Sequence, residues 1–198
     1  LVEHQLDQER RMKIVFIGPP GAGKGTQCQF LAAHFAIPHI GTGEMLRRLQ
    51  GAPAPLVHSK INRGHFAPDD FVLEMIGSRL VEPDCEPGYL LDGFPRTLVQ
   101  AEAFDRSLEA QSQRVDHVID LQVEPDELVR RLAERKRTGE RSDDSAEFIR
   151  ERFVIYADRT RPLLDYYDRQ DLVRPVDGMG CPKEVFGNLL RAIGIDSG

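Results

Sequence analysis

The chain has little cysteine, no long apolar run and no excess of positive charge. Its 198 residues hold three cysteines, Cys28, Cys85 and Cys181. They lie far apart, make no C-x-x-C pair and no zinc-ligand spacing, and an odd count is a poor disulfide framework. The expectation is buried free thiols in a reducing compartment, and hence a cytoplasmic protein. No stretch reaches the roughly 18 apolar residues that read as a membrane span, so no membrane partner is expected. Asp and Glu outnumber Lys and Arg by 32 to 26, a net charge of −6. That argues against whole-molecule attraction to nucleic acid, yet it leaves room for a cleft that concentrates the arginines. Residues 1–11 are polar and charged, with no apolar core of a secretory signal, and are expected to form a flexible extension before Met12. There is no internal repeat, low-complexity tract or interdomain linker. A chain of this length can bury one good core with small insertions.

The most informative segment present is Gly18-Pro-Pro-Gly-Ala-Gly-Lys-Gly-Thr26. An apolar, β-branched run, Lys13 to Ile17, precedes it, and a helical pattern from Gln27 to Phe35 follows. Strand, glycine loop, lysine and helix together make a phosphate cradle: backbone N–H groups point inward, the helix N-terminus adds partial positive charge and Lys24 a full one. The general pattern places Ser or Thr directly after the lysine, as a magnesium ligand. Here Gly25 occupies that position and Thr26 follows it. A different branch of phosphate-loop proteins is implied, with metal held mostly through water and a remote carboxylate.

Strand-like runs alternate with helical ones along the rest of the chain. Strands are expected near 38–40, 88–92, 115–123 and 172–176. Helices are expected from Thr42 or Gly43, near 57–63, from 68 or 69 to 82, over 97–110, from Pro125 to about 136, over 143–160, from Pro162 and over 182–193. Such alternation predicts an α/β fold, a three-layer α/β/α arrangement around a parallel sheet, with ligands beyond the carboxyl ends of the strands. Gly18 and Asp92 both fall at such ends. Segments 41–67 and 134–144 fit the sheet less well and read as small mobile insertions over the cleft, the rest being core. Asp92 ends an apolar strand and precedes Gly93-Phe-Pro-Arg96. A carboxylate there is placed to hold magnesium, directly or through water, although alone it also fits a turn or helix cap. The guanidinium fork of Arg96 suits phosphate oxygens.

Four motifs now stand in one order: Gly18 to Gln27, Thr42-Gly-Glu-Met-Leu-Arg47, Leu91-Asp-Gly-Phe-Pro-Arg-Thr97 with Gln100, and Arg141-Ser-Asp-Asp144. Together they closely resemble the adenylate kinases, nucleoside monophosphate kinases of the short-lid type, over about residues 12–195. The resemblance implies a five-stranded parallel sheet and reversible transfer of the terminal phosphoryl group of ATP to AMP, giving two ADP, with Mg2+. It implies that Gly21, Ala22, Gly23, Lys24, Gly25 and Thr26 wrap the ATP phosphates. Arg135 and the backbone of Gly180 would flank the ATP base, and Arg131, one helical turn from Arg135, could reach the phosphates. Thr42 and Arg47 would hold AMP, the backbone of His65, Phe66 and Ala67 would line its base pocket, Gly93, Phe94, Pro95 and Arg96 would contact it, and Gln100 would read the adenine edge. Arg141 and Arg152 would close over the phosphoryl group; eleven residues apart, about three helical turns, they can share a face. Asp92 would hold Mg2+ through water. Lys24, Arg96, Arg141 and Arg152 are the implied catalytic residues.

The resemblance also implies a monomer and small-molecule nucleotides as the only partners. Pyrimidine monophosphate kinases share the phosphate loop and short lid, but typically carry Ala at the position of Thr42 and Asn in the region of Thr97. A CMP/UMP kinase, or a non-catalytic nucleotide-binding module, is the alternative. Two departures stand out. Gly41-Thr-Gly-Glu44 replaces the usual Ser-Thr-Gly-Asp, and the Pro-rich segment 50–57 is about three residues short. The lid, Arg135-Lys-Arg-Thr-Gly-Glu-Arg141, is short and lacks the four zinc-binding cysteines that some long-lid members carry, so no structural zinc is expected.

Overall fold

The computed structural model describes residues 12–49, 66–138 and 146–195. Five strands form one all-parallel sheet in the order β2-β3-β1-β4-β5. They are β1 (Met12–Ile17), β2 (His39–Gly41), β3 (Gly88–Asp92), β4 (His117–Gln122) and β5 (Val173–Asp177). Both faces of the sheet are covered, which explains why the strands read as unbroken apolar runs. Alternate residues still divide between the faces. Ile14, Phe16, Leu90, Ile119 and Leu121 pack in one cluster; Val15, Ile17, Tyr89, Leu91 and Val118 pack in the other.

The first cluster is closed by α1 (Lys24–Phe35), through Cys28 and Leu31, by Leu128 of α5 (Pro125–Arg137) and by Val185 and Leu189 of α8 (Pro182–Ala192). The second is closed by α3 (Asp69–Leu80), α4 (Leu98–Glu109) and α7 (Pro162–Asp168), through Ile76, Phe104 and Tyr167. The short α2 (Thr42–Arg48) leaves β2 directly and buries Leu46 in the same cluster. The prolines at 125, 162 and 182 each open a helix; at 125 and 182 the missing N–H leaves no bond unmade. Thr97 caps α4, its hydroxyl accepting from the Gln100 N–H at 3.2 Å.

Three expectations are corrected. The helix expected to run unbroken to Thr160 is described as α6 (Ala146–Ile155), followed by a π-helical turn, Tyr156–Thr160. Pro162 has no N–H for the carbonyl four residues back, so the chain widens and the Arg161 N–H donates to the Tyr156 carbonyl at 2.9 Å. Helix α3 stops at Leu80, two residues short, because the Arg79 guanidinium and the 310 turn Pro83–Cys85 take over the chain reversal. Cys181 is exposed at the start of α8 rather than buried, whereas Cys28 and Cys85 are buried as expected. The helix expected near 57–63 and most of both candidate insertions lie outside the described residues. No described helix is long and apolar enough to cross a membrane.

Register positions everything that follows. Phe16 pairs with Asp92, and Asp92 in turn with Gly41, so three strands end level with one another. Just beyond that line the chain enters the glycine loop, the Gly93 turn and α2. Leu90 lies at the middle of this pairing with no exposed surface. Leu90→Ala should cost about 2–5 kcal/mol, read as a lower urea midpoint at unchanged denaturant slope.

Candidate functional site

The glycine loop rises from β1 and turns into α1 with Gly21 at φ 86° and Gly23 at φ 96°. Both angles lie in the left-handed region that side chains avoid. Gly21 is also needed for space: a Cβ there would meet Leu132 Cγ of α5 at 2.9 Å. The Lys24 ammonium folds back over the loop and donates to the Gly18 carbonyl at 2.8 Å and the Pro19 carbonyl at 3.0 Å. Arg131, from α5, ties the loop to the end of β5. Its guanidinium donates to the Ala22 carbonyl at 3.2 Å and the Gly178 carbonyl at 2.9 Å, with Glu127 holding its Nε at 2.7 Å. Arg130 and Arg131 together hold the Glu127 carboxyl down at about 2.

Next to the loop, the end of β3 presents Asp92. Burial pushes its carboxyl up, but His39, Lys24 and Arg96 outweigh burial and hold it below the ordinary carboxylate value. Its side chain keeps 22% exposure toward the cleft. A Cβ at Gly25 would stand 3.7 Å from Asp92 Oδ2, so the glycine in place of the usual hydroxyl residue leaves the space before the carboxylate open.

Beyond Asp92 the Gly93 turn brings three groups together. Gly93 has φ 79°, and a Cβ would strike Arg96 Nη2 at 2.7 Å and Thr42 Oγ1 at 2.9 Å. Thr42 donates to the Gly93 carbonyl at 2.7 Å, and Arg96 Nε to the same carbonyl at 2.8 Å. The Arg96 guanidinium carbon stands 5.1 Å from the centre of the Phe66 ring. Thr160, on the π turn, donates to the Arg96 carbonyl at 3.1 Å. Gln100 is buried and its amide is fully oriented: Oε1 accepts from the Arg96 N–H at 2.8 Å, and Nε2 donates to Asp69 at 2.7 Å.

Loop, Asp92 and the Gly93 turn line one cleft of about 700 Å3. Among the described residues its walls carry seven cationic side chains, Lys24, Arg47, Arg96, Arg130, Arg131, Arg135 and Arg152, against three carboxylates, Glu44, Asp92 and Glu134. A chain of net charge −6 thus turns a positive face inward. The arrangement suits polyanions held by backbone N–H groups and guanidinium forks.

Most of the residues expected from sequence meet in this cleft: Gly21, Gly23, Lys24, Gly25, Thr26, Thr42, Arg47, Phe66, Ala67, Asp92, Gly93, Pro95, Arg96, Gln100, Arg131, Arg135 and Arg152. Three do not line it. The Phe94 side chain is wholly buried and packs edge-on against Phe104, because the turn sends it into the core while Pro95 and Arg96 line the cleft. Ala22 is buried under the loop. Gly180 is exposed in the turn before α8 and faces Glu184. His65 and Arg141 lie outside the described residues. Sequence reasoning missed His39, Asp69, Thr160 and the Phe66 ring. In the sequence Asp69 reads only as a helix start and His39 only as a strand residue, and nothing in their spacing links them to Gln100 or Asp92.

The fold and cleft define a phosphate-loop α/β nucleotide-binding protein. The adenylate kinase family model matches residues 16–172. The chain is similar to the adenylate kinase of Rhodopirellula baltica, 61% identical over 182 residues, covering 92% of this chain and 95% of that one. It is 41% identical to the adenylate kinase of Thermobifida fusca over 185 residues (92% and 98%) and to that of Thermus thermophilus over 185 residues (92% and 97%). The chain belongs to the adenylate kinase family.

The depressed Asp92 carboxyl sets a sign for acid stability. Its anion stabilises the fold fully above the ordinary value of 3.8, and that contribution is lost as pH falls through the lower folded value. Asp92→Asn should therefore flatten the fall in urea midpoint below about pH 4. An unchanged acid limb would contradict the assignment.

Proposed function

We propose that this protein transfers the terminal phosphoryl group of ATP to AMP, reversibly, giving two ADP. The observation that carries the reading is a single cationic cleft with a phosphate loop on one side of Asp92 and the Thr42–Arg47–Arg96–Gln100 group on the other. The names of its relatives support it, and Thr42 and Gln100 favour AMP over a pyrimidine acceptor.

In this reading the loop N–H groups and Lys24 hold the ATP phosphates, with Lys24 leaving its carbonyl partners for the transferring group. Arg47 and Arg96 hold the AMP phosphate, Arg135 packs against the ATP base, and Arg141 and Arg152 close over the reacting phosphorus. Arg131 acts through the loop: its bonds to Ala22 and Gly178 fix the cradle in position. Gln100, oriented by Asp69, offers the acceptor base both a donor and an acceptor. Mg2+ fits the site because the opening beside Gly25 faces one carboxylate and has room for retained water; Asp92 would hold it through that water, and it would neutralise the phosphate charge. No general base is required, since the attacking AMP phosphate is already an anion. The transition state is loose and highly charged, so the protein positions groups, neutralises charge and excludes water. In this reading about 41–67 is the AMP-covering region and about 134–144 the short lid, and the chain works as a cytoplasmic monomer without structural zinc.

A coupled ADP-release assay with ATP against AMP, CMP, UMP and GMP tests the reading. AMP should be the fastest acceptor; faster CMP turnover, or none with any acceptor, would overturn it. Lys24→Met should lower kcat by on the order of 10²–10³ while circular dichroism shows the fold intact. Asp69→Ala should raise KM for AMP severalfold while leaving KM for ATP as it is, because only the acceptor side depends on the Gln100 amide.

A further inference from the structure

Cys28, His39 and Asp92 each bring one ligand atom into a group whose three atoms all lie within 4.8 Å of one another. They come from α1, the start of β2 and the end of β3. Eleven residues separate the first pair and 53 the second, so no ligand spacing is visible in the sequence. Cys28 is wholly buried, while His39 and Asp92 are 21% and 22% exposed. The cluster is therefore sealed below and open toward the cleft.

His39 Nε2 lies 3.5 Å from Asp92 Oδ2. That is a loose contact, not a good hydrogen bond, and this buried nitrogen has no hydrogen-bond partner among the described residues. A buried ring nitrogen held only by a loose contact to a carboxylate calls for an explanation; a cation between the two supplies one. Thiolate, imidazole and carboxylate form a donor set that suits zinc or cadmium rather than magnesium. The two anionic ligands balance a divalent charge, the thiol proton being released to solvent on binding. Tetrahedral zinc with bonds of about 2.0–2.3 Å places ligand atoms about 3.3–3.8 Å apart, so the cluster has to contract by no more than about 1.5 Å. The cations that face it are Lys24, toward Cys28 and Asp92, and Arg96, toward Asp92. Lys24 donates to the loop carbonyls of Gly18 and Pro19.

We propose that Cys28, His39 and Asp92 form an inhibitory site for a thiophilic divalent cation of the zinc and cadmium class. Occupancy withdraws Asp92 from the Mg2+ that it would hold beside the nucleotide phosphates. The inhibition rests on the role given to Asp92 under the proposed function; the binding itself does not.

The test titrates the nucleotide-free full chain with Cd2+ and follows thiolate-to-cadmium charge-transfer absorption in the ultraviolet. The band should saturate at one equivalent, persist in Cys181→Ala and vanish in Cys28→Ala. His39→Gln, a substitution at a partly exposed position, should weaken Cd2+ binding by about 10–100-fold or more, with circular dichroism confirming that both variants fold. In the kinase assay Zn2+ should inhibit the wild type, and the inhibitory concentration should rise at least about 10-fold in Cys28→Ala. No band, a band that survives Cys28→Ala, or equal zinc inhibition of wild type and Cys28→Ala would each overturn the proposal. Failure of the kinase reading would show separately, as no turnover in zinc-free Mg2+ buffer with the cadmium band intact.

Discussion

The parallel register of β1 with β3 is the constraint on which the rest of the structure depends. Pairing Phe16 with Asp92 sets the glycine loop and a carboxylate side by side at the carboxyl end of the sheet. A phosphate cradle next to an anion is an electrostatic conflict, and the neighbouring residues resolve it. Lys24, His39 and Arg96 converge on Asp92 and keep it ionised against the burial that opposes charge. A one-residue slip would exchange the two faces of β3, sending Leu90 and Leu91 to the wrong clusters and Asp92 out of the cleft. Core packing and site geometry are therefore fixed by the same pairing.

Around that line the polar groups form a chain of mutual support. The Gly93 carbonyl accepts from both Thr42 and Arg96, the Arg96 N–H anchors Gln100, and Asp69 holds the far side of the Gln100 amide. Thr160 adds a bond to the Arg96 carbonyl from the turn that Pro162 forces. Each contact is a modest net stabilisation, but together they leave Arg96 and Gln100 few alternatives. Preorganised donors are what a reaction with little covalent chemistry and much developing charge requires.

Much of this was legible in the sequence, for identifiable reasons. Unbroken apolar runs ending at Ile17 and Asp92 revealed the buried parallel strands, and glycines at 21 and 23 before Lys24 revealed the cradle. Prolines at 125, 162 and 182 marked helix starts directly. What was not legible depends on where a side chain points in three dimensions. The sequence neighbours Phe94 and Pro95 diverge because the turn sends one into the core and the other into the cleft. Arg131 spends its guanidinium on backbone carbonyls of two distant loops, which no spacing rule can reveal. Cys28, His39 and Asp92 meet only because three strands end at one level and α1 packs beneath them.

The central claim is that one cleft holds both nucleotides at once and passes the phosphoryl group directly between them. Initial rates over a grid of ATP and AMP concentrations test this most directly. Intersecting double-reciprocal lines are the predicted result, since both substrates must be bound before transfer. Parallel lines, the mark of a phosphorylated protein intermediate formed before the second substrate binds, would contradict the account.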